Sequence, residues 1–249
     1  MPNTLSSRLL LVALLLPLFA SAELTVSGVD QDLERNVRAF AAIASEPCDA
    51  DQRLIRRRFR SLEKEVRTAL EPFGYYRPTI QTSLSRNEDC WLAAVMIDRG
   101  DPIRLRNIDI RIDGAASTDP AFQALLEATS LSPGAVLLHA NYDRLKRALQ
   151  VRAADRGYFK AAYTTNQLDI WPDEGKADIT LHFASGPRYR IGEIRQEQQF
   201  INPAIVLGYL NLEISEPYDA NDIARAYRDL SDSAYFGQIE IIPDVENVV

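Results

Sequence analysis

The chain has little of what catalytic sites are built from. Of its 249 residues only two are histidine and two are cysteine. His139 precedes a helical pattern and His182 lies inside a strand pattern, and neither stands near a cysteine or the other histidine, so no metal-ligand constellation can be written. A glycine-rich phosphate loop, a nucleophile elbow and a C-x-x-C pair are missing. The acidic stretches "DQDLE" and "WPDEGK" lack the oxygen-ligand spacing of a calcium loop. The sequence therefore reads as non-enzymatic, with no catalytic, cofactor-binding or metal residues. Positive charge is also scarce: 28 Lys and Arg stand against 35 Asp and Glu, a net charge of −7. That balance argues against nonspecific binding to nucleic acid or to anionic lipid.

After the first 22 residues no apolar run is long enough to span a bilayer as a helix. Those first residues, "MPNTLSSRLLLVALLLPLFASAE", place Arg8 before an apolar run from Leu9 to Phe19, followed by Ala20, Ser21 and Ala22. The pattern is that of a secretory signal, residues 1–22, cleaved before Glu23; a membrane anchor is the alternative, but the run is short for one. Loss of Arg8 leaves 27 basic and 35 acidic residues, unevenly spread: 12 and 13 up to Arg99, then 15 and 22 from Gly100. In an exported chain the pair Cys48 and Cys90 reads as a disulfide, with two unpaired thiols as the alternative.

What is present is a repeat. "LEPFGYYRPTIQTSL", "AADRGYFKAAYTTNQLDI" and "LSDSAYFGQIEIIPDV" each follow a helical stripe with an aromatic turn and an alternating segment. Val66, Leu62 and Phe59 precede Gly74 at the spacings by which Leu149, Leu145 and Tyr142 precede Gly157, which marks one buried helix face per copy. Gly74 and Gly157 suit a left-handed helix cap, and the aromatics after them close the core. The structural turn residues are thus Gly74, Tyr75, Gly157 and Tyr158, with Tyr235 and Phe236 in the third copy, where Ala234 replaces the glycine and Leu230, Tyr227 and Ile223 make the stripe.

The strands after the turns are "TIQTSL", "AAYTTNQLDI" and "QIEII"; a second strand, "WLAAVMI" or "KADITLHF", follows only in the first two copies. The second and third units open on "GDPIRLRNIDI" and "GPRYRIGEIRQ", whose alternation breaks at one place and predicts a bulge. Asp119-Pro120 and Asn202-Pro203 read as helix N-caps with a first-turn proline.

The expected fold is α+β: tandem strand-helix-helix-strand-strand units, two helices on a three-stranded mixed sheet. The units span 23–99, 100–185 and 186–249, the third lacking its last strand. In such a layer the start of the long helix and the end of the following strand share one edge, which brings Cys48 to Cys90.

This order resembles the POTRA domains of the Omp85/BamA superfamily, and within it the TamA family, the outer-membrane subunit of the translocation and assembly module. "VSGVDQDLERNVRA", "GYYRPTI", "RGYF", "SGPRYRIGEI" and "SAYFGQIEIIP" carry the resemblance, in register across three units. It implies POTRA 1, POTRA 2 and POTRA 3 on the periplasmic side of the outer membrane. A TamB-like inner-membrane-anchored partner is implied, as are unfolded outer-membrane or autotransporter clients. The β-barrel that would follow is absent from the sequence, so contact with the outer membrane is expected only through that missing part. A two-partner secretion transporter and a free-standing periplasmic POTRA adaptor are the alternative readings.

The capability that remains is backbone pairing. The resemblance makes the first strand of each hairpin the sheet edge, so Pro78, Thr79, Ile80, Gln81, Thr82, Ser83 and Leu84 form the candidate docking strand, with 161–168 its counterpart; capping of these edges by a neighbouring unit is the alternative reading. The basic run "RLIRRRFR" reads as a solvated helix face, because Leu54, Ile55 and Phe59 interleave at helical spacing and the acidic "EKE" follows; a nucleic-acid or lipid patch is the alternative.

Overall fold

The structure is a computed structural model that describes residues 21–198 and 200–244. Most of the expected signal segment, residues 1–20, lies outside the described residues. The chain divides into two compact units: one takes residues up to Leu70 and Pro78–Gly100, the other Glu71–Arg77 and everything from Asp101.

In the first unit β1 (Glu23–Ser27) leads to α1 (Gln31–Phe40), α2 (Gln52–Leu70), β2 (Thr79–Arg86) and β3 (Trp91–Asp98). Asp30 caps α1 by accepting the Leu33 N–H. β3 alternates buried with less buried residues and puts Trp91, Ala93, Val95 and Ile97 in the core. There they join Leu33, Ile55, Leu62 and Val66 from the helices, each 2% exposed or less. The sheet order is β1-β3-β2, with β1 parallel and β2 antiparallel to the central β3. Cys48 and Cys90 are joined in a disulfide, their Cα atoms 4.2 Å apart.

The second unit repeats this order with longer strands: β4 (Arg104–Asp113), α3 (Pro120–Glu127), α4 (His139–Asp155), β5 (Ala162–Trp171) and β6 (Lys176–Ala184), in sheet order β4-β6-β5. The β4 register shifts between Leu105 and Asn107, the bulge predicted from the broken alternation. Asp119 caps α3 above Pro120. The core holds Tyr142, Leu145 and Leu149 of α4 with Ile179, Leu181 and Phe183 of β6, and Phe122 meets Tyr158 edge to face at 5.4 Å.

The remainder of the second unit differs from the sequence expectation. It contains α5 (Pro203–Leu210) and α6 (Ala220–Asp232), but the expected strands around 189–194 and 238–242 do not form; only the isolated bridge between Arg190 and Pro217 remains. Both flanking strands of the complete sheets pair only with a central strand, and here none is described. Tyr227, placed in the buried stripe, is 47% exposed, and Ala226 beside it is buried instead.

Candidate functional site

The complete sheets each leave two edges. β2 is an outer strand whose hydrogen-bonding side away from β3 has no partner strand among the described residues. The Asn87 N–H donates to the Cys90 carbonyl, fixing the hairpin end, and the register then runs without a break from Arg86–Trp91 to Thr79–Asp98. Alternation of wide and narrow pairs along an antiparallel ladder makes Ile80, Thr82 and Leu84 the residues whose N–H and C=O point away from β3. Their side chains are half-buried on the helix face, whereas Thr79, Gln81 and Ser83 are exposed. Pro78 lies just before the strand and its carbonyl accepts from Arg67 Nη1 at 3.2 Å. β5 is the corresponding outer strand of the second sheet.

The glycine turns dock in one way at both copies. Gly74 has φ +88° and its carbonyl accepts the Ile103 N–H at 2.8 Å; Gly157 has φ +76° and accepts the Tyr189 N–H at 2.8 Å. A Cβ on Gly74 would sit 2.7 Å from the Leu137 carbonyl oxygen, and one on Gly157 2.8 Å from Tyr218 Cβ, so both positions need glycine for space as well as conformation. Gly157 also ends α4 in a Schellman motif: the Tyr158 N–H donates to Ala153 O and the Gly157 N–H to Ala154 O. Tyr158 is buried, while Tyr75 is half-buried. In the third copy Ala234 holds φ +58°, Phe236 packs on a small cluster around Val206 and Leu230, and Tyr235 is 59% exposed rather than closing a core.

Sequence reasoning missed the polar groups that tie these turns down. Asp119, its side chain 5% exposed, accepts from Arg156 Nε at 2.8 Å and from the Tyr158 hydroxyl at 2.9 Å, and Arg156 reaches Asp219, the cap of α6, at 3.7 Å. Burial pushes the Asp119 carboxyl up, but Arg156, the Ala121 N–H and Tyr158 together outweigh it and hold it below its ordinary value. Phe159 packs against Tyr189 and Tyr218 with ring centroids 5.5 and 4.9 Å apart. At the Gly74 turn the Tyr76 hydroxyl lies 2.6 Å from His139 Nε2, and burial, then Glu71, push the Tyr76 hydroxyl up to about 12. The other histidine, His182, meets Asp109 at 2.9 Å on β6. Both histidines thus serve local hydrogen bonds. Among the described residues no group of three or more His, Cys, Asp or Glu is placed to hold a metal ion, and no helix is long and apolar enough to cross a membrane.

Residues 23–99 match the family model for the first POTRA domain of TamA. The β4-β6-β5 sheet of the second unit repeats the strand order β1-β3-β2 of the matched residues. Among solved structures the chain is similar to POTRA domains 3–5 of Haemophilus influenzae BamA, with 16% identity, coverage of 89% of this chain and 88% of that one, and a TM-score of 0.44. It is also similar to POTRA domains 1–3 of the periplasmic domain of Omp85 from Anabaena, with 16% identity, 88% and 87% coverage and a TM-score of 0.32.

Proposed function

We propose that this chain is the periplasmic POTRA region of a TamA-like factor for outer-membrane protein assembly, exported by a cleaved signal at residues 1–22, and that β2 is its docking strand. The POTRA units are proposed to divide at 23–99, 100–185 and 186–249. The observation that carries the reading is the open edge of β2, where Ile80, Thr82 and Leu84 offer a row of main-chain donors and acceptors to an extended segment. Pairing through the main chain makes little demand on the partner's sequence, which suits a factor handling many unfolded β-rich clients and a TamB-like partner.

The polar and Gly-Tyr features play supporting roles. The glycine turns and the Asp119–Arg156 pair hold the sheets' ends. Replacing Thr82→Pro removes one outward donor from an edge strand without touching the β3 ladder. Binding of a fluorescent segment from the end of a TamB-like protein should weaken by about tenfold, with the thermal melt retained. Unchanged affinity for the segment would rule β2 out as the docking strand.

A further inference from the structure

Charge in the first POTRA domain is concentrated on one helix. α2 carries seven of the domain's 12 Lys and Arg and only two acids, Glu63 and Glu65. Arg58 is paired with Glu46 and Arg67 with Glu63. Arg53, Arg56, Arg57, Arg60 and Lys64 are all exposed and have no acidic partner within 4.0 Å among the described residues. At 100° per residue these five fall within one sector directly opposite the buried Ile55, Leu62 and Val66. They form a cationic crest about 16 Å long with no acid on it. The crest is not a requirement of the fold: on the equivalent α4 the outward positions are Ala140, Arg144, Arg147 and the 59%-exposed Val151.

We propose that the α2 crest docks on an anionic phospholipid bilayer. Four of its five cations are arginines, whose forked donors match phosphate oxygens. The crest is convex and carries no exposed apolar residue, and the clefts along Ser21–Thr25 and around Tyr218–Ile241 include none of its residues. A straight ridge of charge touches a plane of headgroups along its whole length, whereas a bound peptide needs a groove or an open strand edge. The whole-chain charge, which argues against lipid, hides this because the excess of acid lies from Gly100 onward, with 22 acidic against 15 basic residues. The domain would approach the surface helix-first, leaving the β2 edge free.

The test is cosedimentation of the chain from Ser21 onward with vesicles of phosphatidylcholine alone or mixed with phosphatidylglycerol. Binding should require phosphatidylglycerol, fall steeply with added salt, and drop roughly fivefold for each arginine replaced, as in Arg56→Gln. The quadruple variant Arg53→Gln, Arg56→Gln, Arg57→Gln, Arg60→Gln should lose it while melting like the native chain, and Arg57→Lys should retain it. Equal binding to phosphatidylcholine, or undiminished binding by a folded quadruple variant, would overturn the proposal. So would capture of polyglutamate without vesicle binding, which assigns the crest to an acidic polypeptide. Displacement by millimolar inorganic phosphate at constant ionic strength would also overturn it, by showing a discrete phosphate site.

Discussion

The β4-β6-β5 sheet and the residues from Tyr189 to Ile241 start from the same sequence signals and end differently. "RLRNIDI" becomes part of a ten-residue strand, while "RYRIGEI" keeps a single bridge, Arg190 to Pro217. Both regions have two helices, and both opening segments hydrogen-bond to the residues ahead of the long helix: Leu105 donates to Ala135 O and Ile191 to Glu216 O. What differs is β6. All of β5's pairing, and β4's apart from the bonds of Arg104 and Leu105 to residues 134–136, goes to it, so the outer strands depend on their centre. Alternation is a proposal for a strand, and a partner is what makes one.

The largest expected effect comes from giving the second unit the third region's condition. Leu181→Pro removes a donor from the central strand and a fully buried side chain, at a cost of several kcal/mol, roughly 3 or more. Amide hydrogen exchange should then show β4 and β5 exchanging as fast as residues 189–194, with β1 to β3 unchanged. Persistent slow exchange in β4 would show that outer strands stand alone.

Next in size is the disulfide, which the second unit lacks. It closes a separation of 42 residues, and replacing Cys48→Ser with Cys90→Ser should cost the first unit about 2–4 kcal/mol in urea unfolding. An unchanged midpoint for the first unit would mean that its core needs no staple.

Asp119→Asn should cost about 1.5–3 kcal/mol at neutral pH, since it loses a charged acceptor for Arg156 and Tyr158. Because the folded carboxyl sits below its ordinary 3.8, the native advantage is complete above that pH. It should shrink as pH falls through the lowered folded value. A difference between native and variant that persists into strong acid would point to packing rather than charge.

The smallest effect is a gain. Ala234 holds φ +58° where Gly74 and Gly157 stand in the other turns, so Ala234→Gly should stabilise the third region by about 1 kcal/mol. A loss on thermal melting would show that this turn is not under strain.

Much of the fold was legible because repetition exposed it. The 83-residue offset between Gly74 and Gly157 located both helix stripes and both left-handed turns, and the Asp119-Pro120 pair marked a cap before any contact was known. The broken alternation at Leu105 found the bulge. The edge position of β2 came from the family resemblance, and its outward-facing residues needed the hairpin register, which no periodicity prints. The Asp119–Arg156–Asp219 chain joins residues 37 or more apart through side-chain reach, beyond what local pattern carries. Tyr227 misled because helical spacing of apolar residues does not say which face finds a partner, and the small third core buries Ala226 instead. The exposure of the arginine run was legible from its helical spacing, but which of its cations are paired, Arg58 with Glu46 and Arg67 with Glu63, appears only when those acids are placed.

The central claim is that β2 offers its open edge to an extended partner. The most direct measurement follows the amide exchange of the first unit as a segment from a TamB-like protein is added. The account predicts that the amides of Ile80, Thr82 and Leu84, fast in the free protein, become protected together while those of β3 stay as they were. Protection appearing elsewhere with these three amides unchanged would contradict it.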